Sequence, residues 1–163
     1  ASQNFVTIAG DNTLIEGITL QCKKEPNKVI EILGKDTTLR SIKVEPMDEV
    51  KFAGSIYLST KAGNTTIENS NLTYGRITTS GASDSTLTLK NVTIDFANAY
   101  LDEDTKESTF WGFDNSRTKI TVNATDSKVI VSKEFKAAEN YQAITEQLPK
   151  GMTVEEKKKF IFE

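Results

Sequence analysis

The sequence predicts an all-β solenoid, and three observations carry that expectation. The stretch "VTIAGDNTLIEGITL" (6–20) overlays "IEILGKDTTLRSIKV" (30–44) without a gap at an offset of 24. Short runs of alternating apolar residues recur along the chain, separated by Gly, Asx and Thr corners such as "GDNT", "GKDT", "AGNT" and "SDST". Thr, Ser and Asn are abundant relative to Leu and Ala, a β-rich composition.

In the first overlay Val6 falls on Ile30, Ile8 on Ile32, Gly10 on Gly34, Asn12 on Asp36 and Thr13 on Thr37; Ile15 then falls on Leu39, Ile18 on Ile42 and Leu20 on Val44. Period-2 alternation marks strands with one buried face, and Gly or Asx at the corners tolerates a left-handed backbone. A repeat of roughly 20–30 residues is too small to bury its own apolar face, so copies must stack, like over like. A β-sandwich also accommodates alternating strands with frequent turns, but it supplies no reason for gapless overlays.

Taken in order, the leading strands of successive units are expected at Val29–Leu33 and Ser55–Ser59. A second overlay sets "NTTIENSNLTY" (64–74) on "DSTLTLKNVTI" (84–94) at an offset of 20, so that Thr66 meets Thr86, Ile67 meets Leu87, Asn71 meets Asn91 and Leu72 meets Val92. Between 36–44 and 64–74 the same matching requires a small insertion, with Leu39 over Ile67 and Ile42 over Leu72. A weaker fifth copy falls in "NSRTKITV" (115–122). The inward residues are then Ile8, Ile15, Ile18, Ile32, Leu39, Ile42, Ile67, Leu72, Leu87 and Val92, with Cys22 an inert core thiol on the same alternation. Thr19, Lys43, Thr73, Thr93 and Asp95 face outward. Residues 97–114 break the period and read as a side loop; "FKAAENYQAITEQL" then places Ala138, Tyr141, Ile144 and Leu148 at helical spacing. "TVEE" (153–156) has the pattern of a capping box. The expected division is a β-domain over 1–134 and a helical cap or connector over 135–163.

"VTIAGDNTLIEGITL" and "STLTLKNVTIDF" resemble coils of the right-handed parallel β-helix proteins of the pectin-lyase-like superfamily. There a rung typically reads V-x-I-x-G-x-N-x-T-I-x-x-x-x-I/V-x-I/F. The likeness covers roughly residues 5–96 and at its widest reaches 131. It implies a right-handed parallel β-helix; the repeat count sets about five coils, and the helical spacing after residue 134 sets a C-terminal helical cap. For function it implies little, because that fold hosts lyases, hydrolases, adhesins, fibres and inert scaffolds.

The formal net charge is −3 and the isoelectric point near 5.2, and no basic run is interleaved with aromatics, so a nucleic-acid partner is not expected. Lys157 to Lys159 read as a solvated helix face. No apolar run reaches the roughly 18–20 residues of a membrane span. The opening "ASQNF" has no basic and apolar leader pattern, so any signal peptide is expected to have been removed or never to have existed. With one cysteine and no histidine, disulfides, Cys-based metal sites and Ser-His or Cys-His catalysis are excluded within the chain. No cofactor is implied.

Three groups of residues are candidates for chemistry. The outward carboxylates Glu45 and Asp95, with Gly75 placed between their rungs, would stand roughly 9–10 Å apart on strands about 4.8 Å apart. That is the far edge of the roughly 6.5–9.5 Å used by inverting glycosidases. Asp102 and Asp104, with Glu107, could gather a hard cation, but they lack the spacing of a calcium loop, and no metal is favoured. Phe110, Trp111 and Phe113, flanked by Asp114, Asn115 and Arg117, suit stacking on sugar rings; plugging the core where the loop rejoins is the competing role. The sequons at Asn64, Asn71, Asn91 and Asn123 are read as corner and outward strand residues. The resulting expectation is a secreted or cell-surface bacterial module that does not catalyse and binds carbohydrate or serves as a scaffold. The alternatives are a β-helical polysaccharide lyase or glycoside hydrolase, or a fragment of one, using Glu45 and Asp95, and an adhesin or fibre spacer.

Overall fold

The computed structural model describes residues 4–23, 28–47, 54–80, 84–96, 113–114 and 120–131, and over them the chain is a parallel β-solenoid. Its strands are β1 (Asn4–Ile8), β2 (Leu14–Glu16), β3 (Thr19–Cys22), β4 (Lys28–Ile32), β5 (Thr37–Arg40), β6 (Lys43–Pro46) and β7 (Gly54–Leu58). They continue with β8 (Thr65–Thr73), β9 (Gly75–Thr79), β10 (Thr86–Phe96), β11 (Phe113–Asp114), β12 (Thr121–Thr125) and β13 (Lys128–Val131). One sheet stacks β1-β4-β7-β9-β11; the other stacks β12-β10-β8-β5-β2, with β3 and β6 beside β8 and β13 beside β10. Every pairing is parallel. Among the described residues there is no sandwich.

The solenoid makes about three turns rather than the five coils expected. Among the described residues, only the turns of β4–β6, β7–β8 and β9–β10 have a strand stacked on both sides in each sheet; no described strand stacks beyond β1–β3, and β11 is described over two residues. No helix occurs among the described residues, and the expected cap over 135–163 lies outside them. The two-residue β11 falls at the end of the stretch read as a side loop.

The core sits between the sheets. All the expected inward residues are buried except Ile15 and Ile18, which are half-buried. Their counterparts one coil on, Leu39 and Ile42, are at most 1% exposed; those two have a described strand on either side, whereas Ile15 and Ile18 have one on a single side. Phe5 and Leu14, the exposed large apolar residues among those described, belong to the same first coil.

The offset of 24 is confirmed by the pairings Val6 with Ile30, Ile8 with Ile32, Ile15 with Leu39 and Leu20 with Val44. The next two alignments are corrected. β5–β6 meets β8 at a constant 28, Leu39 opposite Ile67 and Val44 opposite Leu72, with no insertion. β8 meets β10 at 22 and not 20, so Ile67 opposes Leu89, Leu72 opposes Ile94, and Val92 opposes Ser70. Away from the bend residues a slip of two leaves side chains on their own face, so the inward assignments survive while the partners change.

Both errors arise at Ser70, which holds the inward position beside Ile42 and Val92 and is skipped for Leu72 when apolar residues are matched. A column of left-handed residues creates that position. Gly17, Ser41, Asn69, Asn91 and Asp126 have φ between 49° and 70°, and the strand registers stack them over one another. Each one bends its strand and shifts the alternation by one, so that Leu39 and Ile42, or Leu89 and Val92, both point inward across three residues. Asx and Gly tolerate this conformation best. The stack is tied laterally: Gly17 N–H donates to Arg40 O at 3.0 Å, Ser41 N–H to Glu68 O at 3.0 Å, and Asn91 Nδ2 to Asn69 Oδ1 at 3.0 Å.

Candidate functional site

The corners between the two sheets carry the most convergent polar chemistry among the described residues. After β4 the chain turns at Gly34, where a Cβ would lie 2.0 Å from the Gly10 carbonyl oxygen; only glycine lets the two corners approach so closely. Asp11 accepts the Lys35 N–H at 2.7 Å, and Asn12 N–H donates to Lys35 O at 2.8 Å, which pins the second corner to the first. After β7 a tight turn follows, with Ala62 N–H bonded to Ser59 O at 3.0 Å and Lys61 N–H to Ser59 Oγ at 3.2 Å. Ser85, after β9, donates its hydroxyl to Ala62 O at 3.1 Å.

Asn64 rivets three coils. Its carbonyl accepts Thr37 N–H at 3.2 Å, its Oδ1 accepts Thr86 N–H at 3.1 Å, and its Nδ2 reaches Asp36 Oδ1 at 3.5 Å. These corners enclose an open groove of about 430 Å³, floored by buried Ala62 and Ser85 and rimmed by exposed Lys35, Asp36, Lys61, Asn64 and Asp84. The described ion pairs join Lys28 to Glu31, Arg40 to Glu16 and Glu68, and Lys43 to Glu45; neither groove lysine is in one. The arrangement offers ammonium donors, an anchored amide and carboxylate acceptors around one space. Sequence reasoning saw these residues only as turn formers. The available signal was that each successive corner carries charge: Lys35-Asp36, Lys61, then Asp84.

The two outward carboxylates lie in the other sheet. Asp95 pairs with Thr73, not Gly75, which belongs to β9 and pairs with Gly54. Continuing the β6–β8 register by one residue sets Thr73 beside Glu45. Glu45 and Asp95 are thus two strands apart, a spacing of roughly 9–10 Å for strands about 4.8 Å apart. Glu45 is bound by Lys43, two residues before it on the same face, and accepts a long bond from Gln21 Nε2 at 3.5 Å. The hydrogen bond from Lys43 is the main reason its pKa falls below the usual carboxylate value, against a smaller opposing effect of desolvation. Glu45 is therefore ionised at neutral pH and unsuited to the role of general acid.

Phe110, Trp111, Asn115 and Arg117, with Asp102, Asp104 and Glu107, lie outside the described residues. Phe113 and Asp114 are at the register positions of Ile77 and Thr78 in β9. Of the sequon residues, Asn64 is at a corner, Asn71 and Asn123 are exposed on outward strand positions, and Asn91 is in the left-handed column. Among the described residues no three Cys, Asp or Glu side chains gather as metal ligands, and no helix is long and apolar enough to cross a membrane.

No protein-family model, curated protein or solved structure matches the chain. The fold and the groove define the class: an all-parallel β-solenoid with a polar corner site.

Proposed function

We propose that the chain is a non-catalytic binding module of the parallel β-helix type, secreted or displayed at the cell surface, with carbohydrate as its ligand class. The corner groove carries this reading. It is shallow and open, and it presents hydrogen-bond donors and acceptors of the kind that pair with sugar hydroxyls. Its rigidity comes from bonds between successive corners, so little ordering accompanies binding. A polysaccharide lyase or hydrolase is the second reading, supported by the two-strand spacing of Glu45 and Asp95, with the ion pair at Glu45 suiting it to the base and not the acid role.

A panel of soluble and insoluble polysaccharides separates the two. Retention on at least one glycan without release of reducing sugar or unsaturated product is expected. Turnover that disappears in Glu45→Gln or Asp95→Asn would establish the enzyme reading instead. Loss of glycan binding in Trp111→Ala, with the melting temperature unchanged, would add the aromatic cluster to the binding surface.

A further inference from the structure

We infer that the corner groove takes a glycan carrying sulfate or phosphate esters, with Lys35 and Lys61 as its oxyanion contacts; this rests on the carbohydrate-binding reading above. Of the strand cations, Lys28, Arg40 and Lys43 are each joined to a glutamate of this chain, whereas exposed Lys90 is in no ion pair among the described residues and serves as the control. Lys35 and Lys61 rim the groove, both are exposed, and neither is in an ion pair among the described residues. An ammonium group with no acid partner is free to meet an external oxyanion as a point charge.

The position of Lys35 is built in. Its stem lies against Gly63, where an added Cβ would stand 2.9 Å from Lys35 Cγ and 3.2 Å from Lys35 Cα. Any larger residue at 63 would displace the lysine from the corner. Its backbone is held independently by Asp11, at 2.7 Å. The acids give the site its selectivity. Asp36, touched by the Asn64 amide at 3.5 Å, and Asp84 can accept from sugar hydroxyls, and they repel a polyanion that has no hydroxyl to offer. The groove's volume of about 430 Å³ lies in the range of roughly 300–1,000 Å³ usual for small-ligand sites. The matching ligand therefore combines an oxyanion with free hydroxyls.

Dextran and dextran sulfate share a backbone and differ in the ester, so they form the test pair. By calorimetry or affinity electrophoresis the chain should bind dextran sulfate, with affinity falling as salt is raised, and dextran itself much more weakly. Lys35→Gln and Lys61→Gln should each weaken binding by about tenfold at an unchanged melting temperature, whereas Lys90→Gln, on the outer face away from the groove, should leave it intact. Gly63→Ala should weaken it as well, through the displaced Lys35. Equal binding of both polymers, indifferent to the lysine variants, would overturn this inference and leave the carbohydrate reading in place. Equal losses in Lys90→Gln and Lys61→Gln would overturn it in favour of diffuse charge. Binding to no glycan of any kind would remove both.

Discussion

The hydroxyl of Ser70 accepts the backbone N–H of Ile42 at 3.1 Å while donating to the Glu68 carbonyl at 2.8 Å. Ser127 repeats the arrangement one pair of coils further on, accepting Val92 N–H at 3.1 Å and donating to Thr125 O at 3.0 Å. At the bend the strands part from regular pairing, and a serine turned inward satisfies a buried amide. Ser70→Ala should leave the Ile42 N–H without a partner and cost about 1–3 kcal/mol in denaturant unfolding. A loss no larger than that of an outward Thr→Ala change would mean that water substitutes for the hydroxyl.

Burial along a single column depends on the coil. Ile42→Ala should cost about 2–5 kcal/mol through lost transfer energy and the cavity left behind. Ile18→Ala, at the equivalent but half-buried position of the first coil, should cost distinctly less, and Thr19→Ala under about 1 kcal/mol. Equal losses for Ile18 and Ile42 would show that the first coil is covered in solution.

Ser41 is the one member of the left-handed column that is neither Gly nor Asx, with φ 54°. For such a residue the conformation costs roughly 1–2 kcal/mol, and Asn and Gly relieve part of it. Ser41→Asn should therefore raise stability by about 0.5–1 kcal/mol, since the side chain is exposed and the bond from Ser41 N–H to Glu68 O is kept. A lower melting temperature would indicate a role for the serine hydroxyl.

Cys22 is fully buried, and desolvation raises its pKa from 9.0 to about 11. The folded state thus holds its proton to higher pH than the unfolded chain. The associated stability is present below pH 9 and is lost as pH rises toward 11. At pH 8 the thiol should resist a disulfide reagent until the protein is unfolded, and Cys22→Ala should flatten the alkaline limb of the stability curve. Glu45 has the opposite sign: its lowered pKa contributes stability above the ordinary value near 4.5, lost as pH falls through the folded value. Glu45→Gln should blunt the acid limb slightly, as befits an exposed pair.

The architecture was legible because a stacked coil repeats its class pattern. Ile8 over Ile32 and Ile15 over Leu39 could be paired by letters alone. The third and fourth coils could not. Matching apolar to apolar paired Val92 with Leu72, since nothing in the letters announces that Ser70 belongs in the core. The groove was illegible for a related reason. The corner after β4 is two residues shorter than the one after β7, and Lys61 and Asp84 stand at different places before their following strands, so Lys35, Lys61 and Asp84 occupy no common repeat position.

By itself the sequence determined that strands alternate, that copies stack in parallel and which side chains turn inward. Those properties follow from period-2 patterning and from residue types that suit corners, both of which are local. The tertiary structure decided the offsets of 28 and 22, the left-handed column that lets alternation skip a residue, the exposure of the first coil and the meeting of three corners in one groove. Each of these depends on which coil lies above which. Along a regular strand a parallel ladder accepts a shift of two residues without moving a side chain from its face, so the stacked left-handed column and the lateral bonds of Ser70, Asn64 and Asn91 fix the register.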